Sequence, residues 1–205
     1  MPSATAQENV QSSLDSVTGN SETGVAGIVF VAVDKNGDHI VANASGNRGL
    51  KSKKPMDLDT VFWIASCTKL LATICCMQLV EQKKLFLDDH EHLYKMCPEL
   101  TKIQVLQDDG SLVDKKSEIT LRMLLAHTAG FGYSFFSEKL RDHSRPIGYH
   151  EFGADPAEIM SMPLVNQPGE KWEYGVSRTV SLSTGTLRFY KLNLLGQYRL
   201  GWHLP

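Results

Sequence analysis

Ser66 and Lys69 are the pair of residues in this sequence whose types and spacing could carry out a reaction. They open a long apolar segment with the pattern of a helix, and residues three apart on a helix share one face. The lysine amine would then lie within hydrogen-bonding reach of the serine hydroxyl. Free backbone N–H groups and the helix dipole at that end favour the negative charge that an attacking serine oxygen develops. The spacing therefore predicts a serine nucleophile with a lysine base.

A structural interpretation of the same two residues is also open. Ser66 could cap the helix, while Lys69 could extend along the surface with its ammonium group in water. A serine and a lysine at this spacing occur roughly once by chance in a protein of this length. However, no charged residue stands between Lys69 and Glu81. Burial without an ionic partner disfavours the ammonium form of a lysine, which favours the base.

The elements around this pair predict an α+β fold. Apolar β-branched segments on either side of an Asp-Lys-Asn-Gly-Asp turn predict a β-hairpin. The segment that starts at Ser66 predicts a helix that is apolar on every face and therefore buried. Two shorter helices follow, the second with Thr120 as its N-cap and Gly130 soon after its end. The predicted strands are 24–33 and 39–44, and the predicted helices are 66–82, 89–96 and 119–127.

Composition excludes several classes of partner. The chain has 205 residues, 42% of them hydrophobic, and a net charge of −2 without basic clusters, so neither nucleic acid nor an anionic membrane is expected to bind. The N-terminus lacks the pattern of a signal peptide, which predicts a cytoplasmic protein. The apolar run 70–80 is too short for a bilayer. The four cysteines are expected to be buried free thiols, and no metal or other cofactor is predicted.

Three segments, in this order, carry a resemblance to a known family. They are VFWIASCTKLLATI at 61–74, ITLRMLLAHTAG at 119–130 and QPGEKWEYG at 167–175. Together they resemble the serine β-lactamase-related superfamily, which implies a β-lactamase/transpeptidase-like fold. The sequences at 108–110 and 172–175 are most similar to fungal transesterases of the lovastatin type and to bacterial family VIII esterases. The resemblance implies that Ser66 is the nucleophile, Lys69 its base and Tyr174 a further catalytic residue.

The implied activity is acyl transfer or hydrolysis of a small ester or acyl thioester through an acyl-enzyme on Ser66. A β-lactamase or D,D-peptidase-like hydrolase is one alternative, and an inactive truncated fragment is another. His127 resembles a structural turn residue of the family. Cys67 is expected to be a packed thiol, and Trp172 a residue of the core or of a pocket wall. The oligomeric state is left open.

The resemblance begins near Gly24 and stops after Val176. It predicts a flexible N-terminus at 1–23, the N-terminal part of a β-lactamase-related domain at 24–176 and a non-matching tail at 177–205. By the same resemblance the fold is incomplete, because the C-terminal strands and one of two oxyanion-hole N–H donors lie beyond the matching region. We therefore expect impaired catalysis, together with aggregation through the unpaired edge of the hairpin.

Overall fold

A computed structural model describes residues 4–18, 24–149, 151 and 156–177. It divides into two compact units, Met1–Trp63 and Ile64–Pro205. The predicted tail lies outside the described residues except for Ser177, which is buried.

The first unit contains the predicted hairpin. Strands β1 (Gly27–Val33) and β2 (His39–Gly46) pair in antiparallel register. Asp34 closes the turn, because its carboxylate accepts hydrogen bonds from the backbone N–H groups of Asn36 and Asp38 at 2.8 and 3.0 Å. These bonds hold the pKa of Asp34 below its ordinary value. In the described ranges this sheet has two strands only, and several of its apolar side chains are exposed, whereas Val41 is buried.

A helix at the start of the first unit differs from the sequence prediction. Where residues 1–23 were expected to be flexible, helix α1 covers Ala4–Thr18. Polar side chains on α1 bond to β2, which gives the helix a partner. One such bond runs from Ser45 Oγ to the Asp15 carboxylate at 2.5 Å, and it lowers the pKa of Asp15. Helix α1 is stabilised by these contacts with β2, which cannot be predicted from the sequence pattern of the helix itself.

In its described residues, the second unit consists mostly of helices and loops, with one short hairpin. The predicted helices are present to within a few residues, and the hairpin lies at the turn around Gly110. The helices and strands of the second unit are α2 (Thr68–Glu81), α3 (His90–Met96), β3 (Val105–Leu106), β4 (Leu112–Val113), α4 (Leu121–Ala126), α5 (Glu138–Ser144) and α6 (Pro156–Ser161). Thr120 caps α4 as predicted, since its hydroxyl accepts from the backbone N–H of Met123 at 3.3 Å.

The side chain of Lys115 links the loop before α4 to the backbone of residues 100–103. Its side chain is only 8% exposed. The ammonium group donates to the backbone carbonyls of Leu100, Thr101 and Ile103 at 3.2, 3.0 and 3.5 Å. A buried charge is tolerated where polar partners replace its water. Lys115 is therefore a structural lysine of this unit.

The prediction that α2 is buried on every face is wrong. Ala72, Cys76 and Leu79 are buried, and the last two pack with apolar residues of the following loop and α4. The opposite face of α2 carries large apolar side chains that remain 37–62% exposed, namely Leu70, Leu71, Ile74 and Met77. A helix is buried only where a neighbour covers it, and the described residues cover one face.

None of the helices in the described ranges is long and apolar enough to span a bilayer.

Candidate active site

Ser66 lies in a single 3₁₀ turn, Ala65–Cys67, that leads directly into α2. Ala65 adopts a left-handed backbone conformation with φ of 43°, which an alanine reaches only at a cost of about 1–2 kcal/mol. The strained turn presents Ser66 at the surface, where the residue is exposed. Cys67 is the N-cap of α2, and it makes no side-chain capping bond. The structure therefore does not use Ser66 as the helix cap.

Lys69 lies beside Ser66, as the helical spacing predicts. Its Nζ donates a hydrogen bond to Ser66 Oγ at 3.1 Å. The lysine side chain is half-buried, whereas the serine is accessible to a small molecule. The predicted contact between the two side chains is thus confirmed, and a proton can pass directly from the hydroxyl to the amine.

Two tyrosine rings flank the amine of Lys69. Its Nζ is 5.1 Å from the ring centre of Tyr174 and 6.0 Å from that of Tyr133. The two rings are themselves 5.8 Å apart. Both distances from the amine fall within the range of cation–π attraction. The structure therefore brings Ser66, Lys69 and Tyr174 together, and it adds Tyr133 to them.

Sequence reasoning missed Tyr133. This residue stands in the segment FGYSFF, directly after the second of the three family-like strings. Tyr133 is 4% exposed and stacks on Phe135, with ring centres 4.7 Å apart and an angle of 19° between the planes. Three aromatic residues within four positions, preceded by glycines, were the available signal. Aromatic rings this close to a lysine on another element cannot be deduced from spacing alone.

Tyr174 is held by the chain on both sides of it. Gly175 packs so closely on the backbone of Phe131 that an added Cβ would lie 2.3 Å from the carbonyl oxygen. A side chain larger than hydrogen would therefore displace this segment. His127 contacts the neighbours of Tyr174 as well: its carbonyl accepts from Glu173 N at 2.8 Å, and its Nδ1 accepts from Gly175 N at 3.4 Å.

His127, rather than Gly130, ends helix α4. It takes the left-handed conformation at the C-cap, with φ of 59°. The predicted end of this helix at residue 127 is therefore confirmed, and Gly130, three residues further on, is not its C-cap. Gly130 is needed for another reason, because a Cβ there would lie 2.1 Å from the carbonyl oxygen of Asn166.

Exposed aromatic side chains surround the two tyrosines. Trp172 is 65% exposed, and its ring lies 6.3 Å from that of Tyr174 at an angle of 28°. Phe135 and Phe136 are 52% and 64% exposed and contact the ring of Tyr133. Trp172 is therefore not a core residue, and it remains a candidate for a pocket wall. Such a surface favours an apolar group of a bound molecule.

The cysteines only partly follow the prediction. All four are free, and Cys76 and Cys97 are buried as expected. Cys67, the neighbour of Ser66, is exposed rather than packed, and Cys75 is half-buried. Cys67 is exposed for the same reason as one face of α2, because the described residues do not cover it. In the part of the chain that the structure describes, no cluster of His, Cys, Asp or Glu is arranged to hold a metal ion.

Comparison with known proteins gives consistent results. The family model described as Beta-lactamase matches residues 8–180. ML-236A carboxylate methylbutanoyltransferase of Penicillium citrinum is 32% identical over 167 residues, which are 75% of this chain and 39% of that protein. Lovastatin esterase of Penicillium rubens is 36% identical over 161 residues, which are 74% of this chain and 40% of that protein.

Solved structures resemble the fold over nearly all of the chain. Unliganded simvastatin synthase of Aspergillus terreus superposes with a TM-score of 0.70 at 27% identity, over 92% of this chain and 50% of that one. The predicted β-lactamase/transpeptidase-like fold is confirmed. The chain spans about two fifths of the length of the curated relatives it matches and half of this structure.

Proposed function

The chain belongs to the beta-lactamase family, and we propose that it carries an acyl-transfer site in which Ser66 is the nucleophile. Lys69 is the base, and Tyr174 assists the proton transfer. Residues 24–176 are the part of the catalytic domain that holds this site. The observation that carries the proposal is the 3.1 Å contact between Lys69 Nζ and Ser66 Oγ, with the ring of Tyr174 against the same amine.

The first step is attack on an acyl carbonyl. Lys69, as the neutral amine, takes the proton of the Ser66 hydroxyl while the serine oxygen bonds to the carbonyl carbon. The amine becomes an ammonium, and the faces of Tyr133 and Tyr174 lie where they stabilise that new positive charge. Interactions that strengthen as charge develops lower the barrier.

The second step releases the leaving group and then the acyl group. The carbonyl re-forms as its bond to the leaving oxygen or sulfur breaks, and the ammonium of Lys69 or the hydroxyl of Tyr174 supplies the proton that the leaving group needs. Water or an alcohol then attacks the acyl-Ser66 ester and gives its proton to the same groups, which pass a proton to the Ser66 oxygen as its bond to the acyl carbon breaks. The products are a free acid or a new ester, with Ser66 regenerated.

A small ester or acyl thioester with an apolar acyl group is the substrate class that we propose. The exposed rings of Trp172, Phe135 and Phe136 beside the site support an apolar group. Two relatives are named for the same kind of chemistry, one as a methylbutanoyltransferase and the other as an esterase.

A fluorophosphonate probe tests the nucleophile, because it bonds covalently to an activated serine and needs no knowledge of the substrate. We expect one probe per chain on Ser66 by intact mass and peptide mapping, and none in Ser66→Ala. Cys67→Ala is the matched control, since it changes the neighbouring exposed side chain and should label like the native chain. Labelling that survives in Ser66→Ala contradicts the assignment.

Turnover distinguishes the proposal from its alternatives. Ser66-dependent hydrolysis of p-nitrophenyl butyrate without nitrocefin cleavage supports an esterase or acyltransferase, and the reverse supports a β-lactamase. A chain that neither labels nor turns over either compound supports the inactive fragment. The uncovered apolar face of α2 is the observation that keeps this last alternative in view.

A further inference from the structure

The residues on either side of Tyr174 both bond to His127, one to its backbone and one to its side chain. The carbonyl oxygen of His127 accepts from Glu173 N at 2.8 Å, and its Nδ1 accepts from Gly175 N at 3.4 Å. The imidazole also lies against the phenol ring of Tyr174, with centres 4.8 Å apart and an angle of 36°. His127 thus contacts three successive residues with Tyr174 in the middle.

We propose that His127 is a positioning residue that holds Tyr174 against the amine of Lys69. This inference rests on the proposed function, because it assigns His127 a role in the placement of one member of that site. His127 does not touch Ser66 or the reacting atoms in this scheme. It acts through Tyr174, whose ring is 5.1 Å from Lys69 Nζ.

The backbone conformation of His127 indicates that the histidine side chain has a role at this position. The left-handed conformation at this C-cap is most easily adopted by glycine or asparagine and is unfavourable for a residue with a larger side chain such as histidine. Histidine at this position is 4% exposed, so its ring is packed rather than merely tolerated. The ring contacts with Tyr174 and Trp172 and the bond to Gly175 N offset the cost of the backbone.

The chemistry of the contact defines which histidine atom matters. A backbone N–H can bond only to an unprotonated ring nitrogen, so Nδ1 is the acceptor and the neutral ring carries its proton on Nε2. The bond at 3.4 Å is near the long end of the hydrogen-bond range. We therefore expect a moderate effect on removal, with the packing of the ring contributing alongside the bond.

Two substitutions separate the acceptor from the backbone requirement. His127→Asn and His127→Gly both accept the left-handed conformation. Asparagine places an oxygen acceptor at the same number of bonds from Cα as Nδ1, whereas glycine has no acceptor. His143→Asn removes an exposed histidine from α5 and is the control for histidine loss.

The readouts are the hydrogen-exchange rate of the Gly175 amide and the rate at which the fluorophosphonate labels Ser66, both in the full chain. The Leu124 amide, bonded to Thr120 O in α4, reports any change in global stability. In His127→Gly we expect exchange at Gly175 to rise about tenfold relative to Leu124, which corresponds to about 1.4 kcal/mol, and labelling to slow by roughly three- to tenfold. His127→Asn keeps an acceptor but loses the ring contacts with Tyr174 and Trp172, so both readouts should lie between those of the native chain and His127→Gly. His143→Asn should stay within about twofold of the native chain in both readouts.

Native rates in His127→Gly would overturn the inference. Equal losses in His127→Asn and His127→Gly would overturn it too, because the acceptor would then not be the positioning element. If the native chain shows no Ser66 labelling, the proposed function fails instead. The exchange of Gly175 then decides alone whether His127 holds this segment.

Discussion

Replacing Tyr133 tests whether an aromatic face beside Lys69 helps the amine to take up a proton. Tyr133 lies 6.0 Å from Lys69 Nζ, at the outer limit for a cation–π contact, and Lys69 is half-buried. Such contacts contribute about 0.5–1 kcal/mol near the surface and about 2 kcal/mol when desolvated. At this distance the lower figure applies. Loss of the ring should therefore slow formation of the ammonium by roughly two- to fivefold.

Tyr133→Leu removes the aromatic face, and Tyr133→Phe keeps it. We expect the Leu variant to label with fluorophosphonate two to five times more slowly, about 0.5–1 kcal/mol in the barrier, and the Phe variant to stay within about twofold. Because Tyr133 is buried, the Leu variant also loses stability. The rates are therefore compared well below the unfolding temperature of each variant. A Leu variant as fast as the native chain would refute the role of the ring, and equal losses in both would point to the hydroxyl instead.

Three further outcomes are expected. Lys69→Arg keeps a cation that cannot act as a base near neutral pH, so the rate of fluorophosphonate labelling at Ser66 should fall by more than about tenfold, or 1.4 kcal/mol. A variant that keeps more than a tenth of the native labelling rate would contradict the base role of Lys69. Lys115→Met removes the donor to three backbone carbonyls and should lower the free energy of unfolding by about 1–3 kcal/mol. Lys116→Met changes an exposed lysine and should alter the free energy of unfolding by no more than about 0.5 kcal/mol. Equal denaturation midpoints for the two variants would contradict the structural role of Lys115. The exposed apolar face of α2 is expected to make the chain associate with itself. Leu71→Lys places a charge on that face and should lower the apparent mass in light scattering, and an unchanged apparent mass would contradict a role of this face.

The elements built from local pattern were predictable from the sequence. The hairpin around Asp34 and the cap at Thr120 follow from turn and capping preferences of nearby residues. The contact between Ser66 and Lys69 belongs to the same class, because one helical turn joins the two residues whatever packs around them. The catalytic roles of Ser66, Lys69 and Tyr174 remain predictions until labelling and turnover are measured.

Only the tertiary structure decided what surrounds that contact. Tyr133 and Tyr174 reach Lys69 through the packing of separate elements, and no spacing in the sequence joins them. The same holds for His127, whose bonds to Glu173 and Gly175 depend on two distant segments meeting. Local patterns determine backbone conformation because they act within a few residues, whereas burial depends on which neighbour is present. That difference explains why α2 was correctly predicted as a helix and wrongly predicted as buried on every face.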